Sequence, residues 1–284
     1  MNTTSFVHLD VNTQYSLGKS TIRQDSLIDA CIEKNMPAFG VTDHNNLFAA
    51  YKIYKASKKK GIKFIVGSTV SIFNDADKKN SKLCLLCENE VGYKNLCYLI
   101  TQSYKDGMIQ SEPLVNIKWL ENHSEGLIAI SSYSNGYFQQ TLPVSSESSH
   151  IEIVESFRNL FKDRLFMSIS RMGFPNEEKI NEYIIEISSN FNIPLVAVNN
   201  PIFMDKNDFL SLEARICIDQ GTILDDPRRV KNYTSEQYFK SSDEMKELFE
   251  DIPEALSNTL AIAKMCNFGF ENNEHVLPDF KIPK

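Results

Sequence analysis

The sequence predicts an α/β fold, strands alternating with helices in a parallel sheet, followed by a helical extension. Seven short runs rich in β-branched and apolar residues recur between Phe6 and Val198. Helix-period stretches separate them. Past Phe203 the strand signal fades, and helical periodicity returns from Ser241 to Cys266. Seven β/α units close into a barrel or form a wound sheet, and in both architectures functional groups gather beyond the C-terminal strand ends.

The runs are Phe6–Asp10, Phe39–Thr42, Phe64–Val66 with a continuation through Val70–Phe73, Leu83–Cys87, Leu127–Ile130, Leu165–Ile169 and Leu195–Val198. From Asp25, a helix places Leu27, Ile28, Cys31 and Ile32 on one face, and Asn35 and Pro37 stop it. In the next helix Leu47, Tyr51 and Tyr54 form the apolar stripe. Lys58–Lys60 and Gly61 close its last turn, where cations favour the helix dipole; this reading of the lysine run is preferred to a nucleic-acid patch. Met245, Leu248, Phe249, Ile252, Ala255, Leu256, Leu260 and Ile262 carry the helical period of the extension. The proline-containing end, Val276–Lys284, reads as an extended connector. The expected division is 1–203 for the β/α unit and 204–284 for the extension and connector.

A hydrophobic content of 42% supports an independent core. Thirty basic against 37 acidic residues give a net charge of −7, opposite in sign to the footprint of a duplex-binding domain. The start carries no charged leader, and no apolar run is long enough to span a membrane, so the expected location is cytoplasmic with no membrane partner. The six cysteines sit mostly in apolar or helical patterns, as reduced core thiols do; Cys84-Leu-Leu-Cys87 reads as core packing and not as a metal or redox pair.

His8, Asp10 and Asn12 are spaced by two, so an extended chain points all three to one side. The second run ends in Thr42-Asp43-His44-Asn45-Asn46, an acid beside an imidazole, suited to a divalent metal but equally to loop and N-cap hydrogen bonding. A metal cluster needs further ligands from the other strand ends, and these offer Ser68, Thr69, Lys82, Ser132, Tyr133, Met172, Asn199, Asn200 and Ile202. Hydroxyls, amides and a lysine hold divalent metals poorly. His123, His150 and His275 fall in expected loops or the tail. Neither a phosphate-binding glycine loop nor a nucleophile elbow is present. Asp225-Asp-Pro-Arg-Arg229 reads as a surface turn with local pairing.

Several stretches carry a family likeness. Phe6–Leu17, Val41–Leu47, Gly61–Gly67, Glu90–Leu96 and Pro194–Asn200 resemble successive motifs of PHP (polymerase and histidinol phosphatase) domains at the start of bacterial replicative polymerase alpha subunits. Leu224–Arg229, Tyr233–Tyr238 and Ile252–Thr259 resemble the segment leading from that domain to the polymerase palm, in a version that looks proteobacterial. The resemblance implies a distorted seven-stranded (β/α)7 barrel. It also implies that the metal-binding H-x-H motif is replaced here by Asp10 and Asn12, and that Asp43 and His44 keep the second motif. A glutamate is replaced by Thr69, histidines by Lys82, Met172 and Ile202, a cysteine by Tyr133 and an aspartate by Asn200.

On this resemblance, His8, Asp10, Asn12, Asp43, His44, Thr69, Lys82 and Asn200 form a vestigial cleft with no catalytic residue and no metal; any retained metal would fall to Asp43, His44 and Asp10. The first reading is an inactive, metal-free scaffold that stabilises the rest of the alpha chain and helps dock the proofreading exonuclease subunit within the holoenzyme. The alternative is a metal-dependent phosphoesterase or 3′–5′ exonuclease built on Asp10, Asp43 and His44, with His8. A stand-alone histidinol-phosphatase-like enzyme would leave the polymerase-like tail without a purpose. DNA is expected mainly at other domains, and magnesium at the palm of the parent polymerase, a DNA-directed DNA polymerase, beyond this chain.

Overall fold

The structure is a computed structural model that describes residues 6–74, 79–132, 136–138 and 147–270. The expectations for Tyr133, His275 and Val276–Lys284 lie outside them, as does the side chain of His150.

Helix α1 (Gln24–Glu33) buries Leu27, Ile28 and Cys31, whereas Ile32 is 43% exposed. Then come β1 (Ala38–Val41), α2 (Ala50–Lys60), β2 (Lys63–Asn74) and β3 (Lys79–Cys87). Helix α3 (Glu90–Lys105) leads to a small hairpin, β4 (Met108–Ile109) and β5 (Glu112–Pro113), followed by α4 (Ile117–Asn122) and β6 (Leu127–Ile130). The chain continues through α5 (Glu147–Phe161), β7 (Leu165–Ser170), α6 (Glu177–Phe191) and β8 (Leu195–Val198). Helices α7 (Phe209–Gln220), α8 (Ser242–Leu248) and α9 (Pro253–Met265) complete it.

Six strands form one curled, half-barrel sheet in the order β1-β2-β3-β6-β7-β8. The wholly parallel sheet expected from the alternation is corrected at its centre: β2–β3 and β3–β6 are antiparallel, while β1–β2, β6–β7 and β7–β8 are parallel. Only four residues separate β2 from β3, far fewer than the dozen or so that a parallel crossover needs. The first expected run, Phe6–Asp10, forms no ladder strand. It lies along β1 nonetheless: Gly40 N–H donates to His8 O at 2.7 Å, Val11 N–H to Gly40 O at 3.2 Å and Thr42 N–H to Val11 O at 2.9 Å. Gly40 permits the approach, since a Cβ there would stand 2.6 Å from Leu9 O.

Packing reassigns α2. Its buried residues are Ala50, Ile53 and Ser57, one face at i, i+3 and i+7. Of the expected stripe, Leu47, which precedes the helix, and Tyr54 are half-buried and pack against this core, whereas Tyr51 is corrected: it is 49% exposed. Ala50 and Ser57 let α2 settle close to the sheet, with Tyr54 at the border of the core and Tyr51 outside it. Gly61 closes the helix in the left-handed region at φ 74°, as its sequence signal predicts.

Helices α8 and α9 occupy the stretch of expected helical periodicity. A capping box joins Ser241 and Glu244 at the start of α8. Helix α9 covers the edge of the sheet, where Ile262, Ala263 and Cys266 pack with Val7, Leu9 and Val198. Val7 N–H donates to Thr259 Oγ1 at 3.1 Å and Asn258 Nδ2 to Leu195 O at 2.7 Å. Arg228 pairs with Asp226 as a local turn should, but Arg229 turns inward to Glu213, Tyr233 and Leu224 O.

Candidate functional site

Backbone hydrogen bonding brings three separate segments together at one end of the sheet. Residues 8–12 run beside β1, the Asp43–Asn46 loop comes after its end, and Asn199–Ile202 come after β8; Asn12 N–H donates to Pro201 O at 3.2 Å.

Asp43 is buried, and its carboxylate is filled by protein donors. Oδ1 accepts from Thr13 N–H and Ser16 Oγ, and Oδ2 from Thr13 Oγ1, all at 2.7 Å. Burial pushes its carboxyl above the usual range, and the bonds from Thr13 and Ser16 pull it back. Asp10 is committed elsewhere. Both its oxygens face the Asn200 N–H at 3.1 and 3.2 Å, while Asn200 Nδ2 donates to Asp10 O at 2.8 Å and approaches Asn12 Oδ1 at 3.3 Å. Burial raises the Asp10 carboxyl to about 7 despite these bonds. Asn12 Nδ2 donates to Thr42 O at 2.7 Å, so its amide bridges the end of β1.

His44 meets a residue that the sequence reading missed. Its Nε2 lies 3.3 Å from Ser71 Oγ and 3.7 Å from Glu112 Oε1, and Ser71 Oγ donates to that same oxygen at 2.8 Å. Burial holds the imidazole down to about 4. Above that pH the contact joins a carboxylate to a neutral ring and is not an ion pair. Glu112 is drawn down to about 2 by His44, Ser71 and Asn80. Thr69 bridges His44 through parallel backbone pairing and is buried.

His8 is sealed in the core. Its Nε2 contacts Lys240 O at 2.8 Å, and its ring lies 4.8 Å from Phe6 and 4.4 Å from Phe239. Burial lowers it to about 3. The cleft itself, about 300 Å³, is lined by Asn12, Lys19, Lys82, Asn200 and Gln237 among others. Burial draws Lys82 down to about 8, and Lys19 adds like-charge repulsion. Ile202 also faces this space, whereas Met172 is fully buried.

The structure thus gathers Asp10, Asn12 and Asn200 in one network and Asp43 in a second. His44 and Thr69 form a third, Lys82 stands on the cleft wall, and His8 lies apart. Among the described residues, no three His, Cys, Asp or Glu side chains converge as a metal ligand set. The three candidate ligands are each committed to different protein partners, and two lysines line the cleft; this arrangement does not fit a cation cluster. Thr13 and Ser16 were open to discovery in the sequence, because hydroxyls following a run that pairs with β1 can reach the acid at its end. Glu112 carried no such signal.

No helix among the described residues is long and apolar enough to cross a membrane. All six cysteines are free, and five of them are buried.

A family model described as PHP domain matches residues 8–172. DNA polymerase III subunit alpha of Pseudomonas fluorescens is 38% identical over 280 residues, which cover 98% of this chain and 24% of that protein. The subunit of the same name from Escherichia coli strain K12 is 37% identical over 281 residues, 99% of this chain and 24% of its own length. The chain spans about a quarter of the length of the curated relatives it matches, in their N-terminal region. Among solved structures, an amidohydrolase from Chromobacterium violaceum, with bound sulfate and no metal, aligns with a TM-score of 0.51. It covers 74% of this chain and 97% of that one at 9% identity, a likeness of fold alone.

Proposed function

Because the chain belongs to the PHP domain family, in the form found in the N-terminal region of DNA polymerase III alpha subunits, we propose that it is the metal-free scaffold domain of a replicative polymerase. In this reading residues 1–203 form a seven-stranded barrel, closed by the first run between β1 and β8. The hydrogen bonds of residues 8–12 to Gly40, Thr42, Asn200 and Pro201 support that closure. Residues 204–284 lead towards the palm, where magnesium and DNA would bind, and the domain helps dock the proofreading exonuclease subunit in the cytoplasm.

The observation that carries the metal-free reading is the state of Asp43: three donors at 2.7 Å occupy the carboxylate that the family's metal motif would offer to a cation. A cation would have to displace them and tolerate Lys19 and Lys82 beside the cleft. With no working ligand set there is no group to activate water, so no hydrolytic step is assigned.

Elemental mass spectrometry tests this on protein purified without chelators and exposed briefly to zinc and manganese. The expected content is below about a tenth of an ion per chain, since a working cluster holds its ions tightly. One ion or more, lost in Asp43→Ala and His44→Ala, would overturn the reading in favour of a metal-dependent phosphoesterase. Docking is tested separately, by binding of the purified exonuclease subunit to the full alpha chain. Failure to bind removes that role and leaves the metal result unaffected.

A further inference from the structure

Helix α2 carries five lysines in eleven positions and no acid, on a chain whose net charge is −7. Tyr51, Tyr54, Lys55, Lys58 and Lys59 fall at i, i+3, i+4, i+7 and i+8, so rings and ammonium groups share one flank of the helix, with Tyr54 at its border with the core. The rings are held in place. Phe270 packs edge-on against Tyr51 at 5.6 Å and meets Tyr54 at 5.3 Å. Together these six residues line a cavity of about 320 Å³. A second cavity of about 330 Å³ shares Tyr54 and Lys58 and adds Lys63 and Phe268, so a groove runs along the helix in two chambers. Lys60 is tied to Asp29, and Lys52 donates to the Tyr15 hydroxyl. Lys55 and Lys59 are exposed, and neither forms an ion pair among the described residues. Lys58 stands 5.7 Å from the Tyr54 ring centre.

We propose that this groove binds single-stranded DNA, bases against Tyr51 and Tyr54 and phosphates against Lys55, Lys58 and Lys59. Helix-end chemistry explains why lysines are tolerated at positions 58–60, but not why Lys55 and two tyrosines join them on one exposed face. Aromatic faces accept any base, and a lysine row follows the backbone. A duplex presents its bases edge-on and brings a denser charge against an acidic domain. An acidic peptide would match the lysines and leave the rings without a planar partner. The choice of DNA rests on the polymerase reading above; the groove does not.

Fluorescence anisotropy of a labelled oligothymidylate of about 20 nucleotides tests the proposal on the whole chain. Binding should weaken with salt at a slope of about −2 in log K against log concentration, the value for three phosphate contacts on a single strand. The triple variant Lys55→Glu, Lys58→Glu, Lys59→Glu should lose at least about tenfold in affinity with an unchanged circular dichroism spectrum. Tyr51→Ala should lose about fivefold or more, and Tyr51→Phe should retain binding. If the triple variant misfolds, Lys55→Ala and Lys59→Ala together should shrink the salt slope by about 1.4. Unchanged binding in the lysine variants overturns the proposal. So does displacement by polyglutamate as effective as by unlabelled oligonucleotide with Tyr51→Ala binding normally, which would assign the face to an acidic protein. Retained metal would defeat the metal-free reading, and a failed exonuclease interaction the docking role, without altering either of these readouts.

Discussion

Removing the Asp43 carboxylate should destabilise the domain by about 3 kcal/mol, and the figure follows from what each donor can do next. The Thr13 N–H is fixed by the backbone and has no second acceptor at hand, so its loss costs about 1–3 kcal/mol as an unsatisfied buried donor. The hydroxyls of Thr13 and Ser16 are also acceptors, for Tyr15 N–H at 3.2 Å and His44 N–H at 3.1 Å, so their rotation is constrained and each adds about 1 kcal/mol. Relief of a buried charge, whose carboxyl already sits above its ordinary range, returns part of the total. Asp43→Asn keeps one acceptor oxygen and should cost only about 1 kcal/mol.

Urea unfolding followed by the single tryptophan, Trp119, reads this directly. With a slope of about 3 kcal/mol per molar urea, Asp43→Ala should lower the midpoint by about 1 M. Saturating zinc should move neither the wild type nor the variant. A midpoint change below about 0.3 M would refute the hydrogen-bonded role of Asp43. Stabilisation of the wild type alone by zinc, worth about 2.7 kcal/mol at a hundredfold excess over Kd, would show that the carboxylate serves a cation instead.

Asp10 has a folded pKa raised to about 7 from 3.8, so between those values the native state binds the extra proton and this group's contribution to stability falls as pH rises. Asp10→Asn should therefore flatten the decline in urea midpoint across about pH 4 to 7, where the shift is worth on the order of 4 kcal/mol. His8 acts in the opposite sense: its pKa drops from 6.5 to about 3, so the unfolded chain takes the proton first and stability is lost as pH falls through that window. His8→Gln, which can still donate to Lys240 O, should remove about 1.4 kcal/mol per pH unit from that acid sensitivity, read from midpoints on either side of about pH 6. Gly92→Ala should cost about 3 kcal/mol in the same assay, because a Cβ on α3 would lie 1.8 Å from the backbone oxygen of Gly126, which the Glu88 N–H holds in place.

The strands were legible wherever a run is both apolar and long enough to be buried on two sides, as at Leu127–Ile130 and Leu195–Val198. Their directions were not, because a hydrophobic run does not encode its partner; the four-residue gap between β2 and β3 was the one local sign of an antiparallel turn. The β4–β5 hairpin escaped notice because Gln110 and Ser111 adopt positive φ, at 49° and 66°, in place of the Asn-Gly pair that usually marks such a turn. Glu112 was lost with it. In α2 the apolar period pointed to Leu47, Tyr51 and Tyr54; Leu47 and Tyr54 do pack against the core, but the fully buried positions are Ala50, Ile53 and Ser57, and Tyr51 is exposed. Asp10, Asn12, Asp43 and His44 could be singled out as candidates because alternation and strand-end position are written in the chain. Their partners come from residues up to 190 positions away, a distance that no local pattern spans.

That separation bears on why two buried carboxylates persist in a cleft without a fitting ligand set. Asp43 ties the end of β1 to Thr13 and Ser16, and Asp10 with Asn12 ties the same segment to Asn200 and Pro201 after β8. Gln237 then reaches Asn200 O at 3.2 Å, which carries the connection into the segment before α8. A metal cluster would hold strand ends together by drawing their ligands to a point; here directed hydrogen bonds join the same strand ends pairwise. Such bonds fix geometry at a cost, since the Asp10 carboxyl remains raised even after its donors are counted. If the network serves placement more than stability, Asp10→Asn should leave a domain at least as stable above about pH 7, while loosening the junction of residues 8–12 with Asn200. Hydrogen exchange at the Asn200 amide would record that loosening as lost protection without global unfolding.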